Sequence, residues 1–185
     1  MVEKAKGKCQ RKVGTLNYNI YIGEAVLGVP TEEEIKESEK YGYPLHLGVM
    51  VKRLILPDAP VFPGDQLTEN GNDRHPGYIQ WADFCKTAGI YELFFDKKKG
   101  LMNHPGCLLL LPSHLEIIRE SLTLWKKAHP KAIPGWCECR DCYPWGKGNK
   151  YIHEELDNIL ARLIWLEFWT DWVLKNCKVP AISNF

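Results

Sequence analysis

The chain has 185 residues, of which 45% are hydrophobic and 25% are charged, and its formal net charge is +1. A chain of this length can form one domain whose core needs no disulfides, and a charge this close to zero excludes attraction to nucleic acid or an anionic membrane by net charge alone. No stretch approaches the ~20 apolar residues of a membrane span, and no apolar segment of the secretory type follows the basic first residues, so we expect a soluble, cytoplasmic protein.

The first segment of the chain predicts a basic arm followed by a strand. Residues 1–14 carry basic side chains among small ones, a composition that buries little surface. We therefore expect a flexible basic arm there and a single globular domain over residues 15–185. From Leu16 to Ile22 large apolar residues alternate with more polar ones, as in a half-buried strand, and Gly23 is expected to end or bulge it.

A short helix and a second strand are expected next. The sequence Thr31-Glu32-Glu33-Glu34 matches a capping box, in which the threonine hydroxyl accepts from a helix amide and the last glutamate reaches back. This helix should run to about Tyr41. Alternation over residues 45–56 predicts the second strand, so these elements indicate a small sheet at the N-terminal end.

The segment from residue 57 to residue 77 contains many prolines, glycines and asparagines, which exclude a regular element. A loop of this length is either a binding loop or disordered, and both interpretations stay open. Near its end lie Arg74 and His75, and Trp81 follows in the next helix. Guanidinium and indole groups suit the recognition of phosphates and bases, so these three residues are candidates for binding an anionic ligand.

Helical periodicity dominates the rest of the chain. One helix is expected over residues 78–88 with a stop at Gly89, and a second should begin at a capping box, Ser113 to Glu116, and end near His129. The longest helix is expected over residues 151–177. Apolar groups cover most of its circumference, which predicts either a central core helix or the interface of a homo-oligomer.

One carboxylate pair lies in this last helix. Glu167 and Asp171 are four residues apart among apolar neighbours, so a desolvated pair could perform acid and base chemistry. The alternative is an exposed edge at which the pair binds Arg162 or Lys175.

The strongest chemical motif is a cluster of cysteines at Cys137, Cys139 and Cys142. Thiolates are soft donors that suit Zn²⁺, and tetrahedral coordination needs a fourth ligand, for which Cys107 is the first choice. Three histidines are the alternatives to Cys107: His104, His153 and His129. We predict a structural zinc site, while unligated thiols, redox use and catalytic zinc stay open because the motif lacks a second Cys-x-x-Cys pair.

Together these features predict an α+β fold, with a small N-terminal sheet packed on a helical C-terminal portion and a cysteine-rich loop between the last two long helices. The sequence contains no nucleotide-binding fingerprint, nucleophile elbow or complete metal-hydrolase signature. It therefore favours a non-enzymatic intracellular binding or regulatory protein that recognises a protein or a small ligand. Two other classes stay open: a zinc-dependent enzyme acting on a nucleotide-like or other polar substrate, and an oligomer that sequesters a small anionic ligand.

Overall fold

A computed structural model describes residues 20–28, 32–41, 49–63, 70–74, 78–95, 106–135, 152–153 and 156–184 of the chain. In chain order its elements are β1 Ile20–Leu27, α1 Glu32–Tyr41, β2 Val49–Val51, β3 Asp73–Arg74, α2 Tyr78–Thr87, α3 Tyr91–Phe95, β4 Gly106–Leu109, α4 Pro112–Ala128, β5 Ile133–Pro134, β6 Ile152–His153, β7 Leu156–Asp157, α5 Asn158–Asn176 and β8 Pro180–Asn184. A small antiparallel sheet is combined with helices, which confirms the predicted α+β class.

The main sheet is built around β1 and β8, which pair antiparallel. On its other side β8 pairs with β4, and the far edge of β1 is shared between β2 and β3, which gives the order β2-β1-β8-β4 among the described strands. The sheet therefore uses the C-terminal residues of the chain as a central strand. The sequence predicted strands only in the N-terminal part and missed β8.

Asn72 joins the two strands that share the far edge of β1. Its backbone carbonyl accepts from Ile22 N at 2.9 Å, and its backbone N–H donates to Leu54 O at 2.9 Å. The side chain continues the same pattern, because Nδ2 donates to Ile22 O and Lys52 O at 2.9 and 2.8 Å, and Oδ1 accepts from Leu54 N at 2.6 Å. Asn72 is fully buried, so water cannot bind the backbone groups around it. The side chain of Asn72 supplies the hydrogen bonds that strand pairing would otherwise make.

Gly23 lies inside β1, so the prediction that it ends the strand is wrong. A Cβ atom at Gly23 would lie 2.8 Å from Val51 Cγ1 and 3.2 Å from Asn72 Nδ2. Glycine is therefore explained by close packing within the sheet and not by a turn. The second predicted strand is also shorter than expected. Among the residues of this segment that the structure describes, only Val49–Val51 form a strand.

The loop predicted over residues 57–77 contains a strand, β3, and a bridge between Ile55 and Gly71, which corrects the expectation that no regular element occurs there. The segment also reaches the core, because Trp165 Nε1 of α5 donates to Gly71 O at 3.1 Å. Residues 64–69 and 75–77 lie outside the described part.

Helix α5 packs against β1 and β8 and is the core helix of the fold. Trp165 and Trp169 are both fully buried within this chain, which favours the core interpretation over a subunit interface for these two side chains. The helix begins at Asn158 and not at residue 151 as predicted, because Asp157 Oδ1 accepts from Ile159 N and Leu160 N at 2.9 and 3.0 Å and caps it there.

The remaining helix boundaries follow the sequence more closely. Helix α1 ends at Tyr41 and α2 is followed by Gly89, whose φ of 72° suits glycine, as expected. Helix α4 ends at Ala128, as predicted, but the prediction that it begins with a capping box at Ser113 is wrong. Pro112 is the first helical residue, and the imidazole of His114 accepts from Leu111 N at 3.2 Å.

We expect Asn72→Ala to lower the free energy of unfolding by about 3 kcal/mol, because buried groups of Ile22, Lys52 and Leu54 lose their partner. The matched control is Asn70→Ala. Asn70 donates to Pro57 O and Ala59 O near the surface, where water can replace it, so the loss there should be about 1 kcal/mol. Urea unfolding of both variants measures the difference, and equal losses would contradict the role assigned to Asn72.

Candidate functional site

The candidate zinc ligand Cys107 lies in β4 opposite Ser183 of β8, and the register continues to Tyr21 of β1. Opposite residues of antiparallel strands share a face of the sheet, and neighbours along a strand alternate between faces. Cys107 therefore lies on the face opposite Ile22 and Ile182, which point into the core. Burial raises the pKa of the Cys107 thiol, so binding a metal there would release a proton.

The other proposed zinc ligands, Cys137, Cys139 and Cys142, lie outside the described residues. Within the described ranges no three His, Cys, Asp or Glu side chains converge as a metal site would require. The zinc site stays a prediction, and the structure places one of its four proposed ligands.

One alternative ligand, His129, lies at the end of α4. Its ring packs against Trp125 with centroids 4.3 Å apart, and its Nδ1 is 3.2 Å from Trp125 O. A carbonyl oxygen can only accept, so Nδ1 carries the proton of this hydrogen bond, and in the neutral ring Nε2 keeps the lone pair that a metal needs. Trp125 Nε1 in turn donates to Asp157 Oδ2 at 2.7 Å. His129 is thereby fixed next to the beginning of α5.

The chain leaves a small sheet at β5 and re-enters it at β6, on either side of the segment that carries the cysteines. Strand β7 pairs parallel with β5 and antiparallel with β6, and Gly135 N donates to Asp157 O at 3.2 Å. Adjacent strands are ~4.8 Å apart, so the two ends of the cysteine segment start from points ~10 Å apart. Asp157 therefore anchors both α5 and the base of this segment.

The structure describes two of the three candidate ligand-binding residues. Arg74 lies in β3 opposite Ile20, whereas His75 lies outside the described residues. Trp81 is 1% exposed, and its ring contacts Phe84 and Trp165 with centroids 4.9 and 6.3 Å apart. An indole in this position fills the core, so its burial gives no support to stacking on a ligand.

The carboxylate pair of α5 is held by an arginine that the sequence did not indicate. Arg119 of α4 donates through Nε to Glu167 at 2.8 Å and through a terminal nitrogen to Asp171 at 3.0 Å. Lys175 binds the other Asp171 oxygen, as one of the predicted alternatives requires. This hydrogen bond from Lys175, together with Arg119, holds the pKa of Asp171 below its ordinary value. The pair therefore connects two helices, and Asp171 is ionised at neutral pH.

A second carboxylate fixes the turn between α5 and β8. Glu24 of β1 accepts from Lys178 N at 2.6 Å and from Val179 N at 2.9 Å. It also accepts from the Cys177 thiol. Partial burial is the largest cause that raises the pKa of the Cys177 thiol. The charge and the hydrogen bond of Glu24 raise it further, to about 11. Cys177 is therefore a protonated, slowly reacting thiol at neutral pH.

Apolar side chains are exposed where β4 leads into α4. Leu109 is 50% exposed, and Leu111 and Val179 are each 44% exposed, while Leu110 between the two leucines is buried. Leu110 N donates to Pro180 O at 2.8 Å, so these two residues lie opposite each other. Because the two segments run antiparallel, the next pair of opposite residues is Leu111 and Val179. We call Leu109, Leu111 and Val179 the edge patch. They lie at the side of the sheet where β4 pairs with β8 alone among the described strands.

Sequence reasoning missed the edge patch because the run of leucines that ends at Leu111 is uniformly apolar. A uniform run does not show which side chains face the core. Exposed apolar groups that cluster at one side of a fold mark interaction surfaces more often than isolated ones do.

No protein-family model, curated protein or solved structure matches this chain. In the part of the chain that the structure describes, the helices are too short or too polar to cross a membrane.

We expect Glu24→Gln to make Cys177 more reactive, because the neutral side chain no longer raises the pKa of the thiol by its charge. Alkylation by iodoacetamide at pH about 8, followed by peptide mass spectrometry, should be at least about threefold faster at Cys177 than in the wild type. Glu92→Gln removes a charge that has no effect on Cys177 and is the control. An unchanged rate in Glu24→Gln would show that burial alone raises the pKa.

Proposed function

We propose that this chain is a non-enzymatic intracellular binding protein that recognises a partner protein through the edge patch. The observation that carries the proposal is the exposure of Leu109, Leu111 and Val179 side by side, where β4 pairs only with β8 among the described strands. A fully buried leucine or valine gains about 1.5–3 kcal/mol, so covering three half-exposed side chains gives a partner a substantial part of its affinity. The addition of a strand to an open sheet edge is a common way to recognise an extended segment.

The bound state of three carboxylates supports binding over catalysis. Glu24 of β1 is engaged by two backbone amides of the turn that carries Val179, and by a thiol. Asp171 and Glu167 are bound by Arg119. Carboxylates with such partners stabilise the fold, whereas a general acid or base must be within reach of the substrate proton that it transfers.

We further propose that a structural zinc ion stabilises the protein, held by Cys137, Cys139, Cys142 and Cys107. The support is the spacing of the cysteines and the softness of thiolate donors. His129 is the competing fourth ligand, because its ring is fixed by Trp125 at the base of the cysteine segment.

The zinc proposal predicts about one zinc per chain in protein purified without added metal, measured by elemental mass spectrometry. Cys139→Ser should remove the zinc and lower the melting temperature by several degrees, on the order of the loss of a structural metal. Cys177→Ser, at a cysteine outside the proposed set, should keep the zinc. Protein without zinc, or a metal-free Cys139→Ser variant that melts like the wild type, would contradict the proposal.

The same measurement assigns the fourth ligand. Loss of zinc in Cys107→Ser with retention in His129→Gln supports Cys107. The reverse pattern transfers the role to His129 and leaves Cys107 as an unligated thiol.

Partner recognition predicts a protein adduct from the edge patch in living cells. A photo-crosslinking amino acid at position 109 should give a discrete adduct, which Val179→Asp in the same chain reduces at least about tenfold, because a charge in the patch opposes apolar burial. The control carries the crosslinker at position 123, an exposed site of α4. Adducts of equal yield at both positions, or no adduct at position 109, would contradict the proposal.

A further inference from the structure

The hydrogen-bonding pattern of β4 shows which backbone groups it leaves open. Leu110 N donates to Pro180 O, and Gly106 N donates to the side-chain oxygen of Asn184, so these positions point toward β8. In an antiparallel pair the inward and outward positions alternate. The N–H and C=O groups of Cys107 and Leu109 therefore point away from β8, and they bond to none of the described residues.

Within β4 and the two residues after it, the side chains that normally protect a sheet edge are missing. Residues 106–111 contain no charged residue and no proline, and the side chain of Leu109 is half exposed. Edge strands are usually blocked by lysine, proline or a bulge, because an unblocked edge pairs with any compatible strand. An uncharged edge flanked by leucines fits an uncharged apolar strand best.

We propose that β4 pairs antiparallel with β4 of a second copy of this chain, centred on Leu108. In this register Cys107 lies opposite the partner subunit's Leu109, and Leu109 lies opposite the partner subunit's Cys107. Both are outward positions, so each chain donates two backbone hydrogen bonds to the other and accepts two. The proposal rests on the proposed function, since it identifies the protein that binds along β4 beside Leu109 of the edge patch.

A second copy is favoured over an unrelated peptide by symmetry and by charge. The two outward residues are placed evenly about Leu108, so a two-fold axis there satisfies all their backbone groups at once. Leu109 of each chain then meets an uncharged strand, and no charged side chain between residues 106 and 111 is buried by the contact. The two main sheets become one continuous sheet.

The first test is the mass of the purified protein, measured by sedimentation velocity from about 1 to about 100 μM. We expect a dimer that dissociates on dilution. Leu109→Lys should weaken it at least about tenfold, because the paired edge would bury two new charges. Leu124→Lys, at a 59% exposed leucine of α4, is the matched control and should leave the dimer intact. Circular dichroism checks that both variants fold.

The second test determines the register. In the proposed dimer Leu109→Cys places a thiol opposite the partner subunit's Cys107, at the Cα separation of ~5.5 Å that a disulfide needs. A chelator first removes any metal from Cys107, and oxidation by diamide, which takes up the two protons and two electrons of the thiols, should then give a covalent dimer. The control Leu111→Cys and the double variant Leu109→Cys with Cys107→Ser should give at least about tenfold less.

The outcomes separate this proposal from the proposed function. A monomer at every concentration, or a dimer that Leu109→Lys does not weaken, overturns pairing through β4. If the purified protein is a monomer while position 109 gives a discrete adduct with a different protein in cells, the partner is not a second copy and the proposed function stands. A monomer without any such adduct overturns both.

Discussion

The main sheet depends on Asn72, which fills the gap between two short strands that share one edge of β1. A backbone strand at this place would pair with Ile22 through its own N–H and C=O groups. Asn72 instead binds Ile22 through its backbone carbonyl and its side-chain amide. The same side-chain amide also forms hydrogen bonds with the backbone of Lys52 and Leu54. Because the residue is fully buried, each of these groups would otherwise be desolvated without a partner. The adjacent Gly23 has no side chain, which leaves room for this arrangement.

A second buried polar residue, Asp157, connects the helical half of the molecule. One carboxylate oxygen caps α5, and the other accepts from Trp125 of α4, while the backbone belongs to the small sheet. The helix pair is joined again near its other end by Arg119, Glu167 and Asp171. Both ends of α5 are therefore fixed relative to α4. This also fixes the position at which the chain leaves α5 and enters β8. The edge patch owes its geometry to these contacts, since Val179 lies in the turn after α5.

The surface features named in the two proposals lie at one side of this framework. Strand β4 is only four residues long and is held through β8, yet it carries both the proposed metal ligand Cys107 and the outward-facing Leu109. These residues are two positions apart and therefore share a face of the sheet. Binding at the edge and any metal at Cys107 would affect the same strand. A structural metal there would stabilise the conformation of β4 that a partner recognises, which is the physical connection between the two proposals.

The sequence by itself determined the local elements. Capping signals, helical periodicity and glycine stops located α1, α2 and α4, and the apolar circumference of α5 indicated either a core helix or a subunit interface, because these signals come from residues close together in the chain. Tertiary structure alone decided that residues 180–184 form a central strand, that Asp157 begins α5, and that Arg119 binds Glu167, which lies 48 residues away. The candidate sites divide in the same way. The thiols and Arg74 were recognisable as residue types, whereas the burial of Trp81 and the exposure of Leu109 depend on which strands and helices pack against them. Such contacts join residues distant in sequence, and no local pattern encodes them.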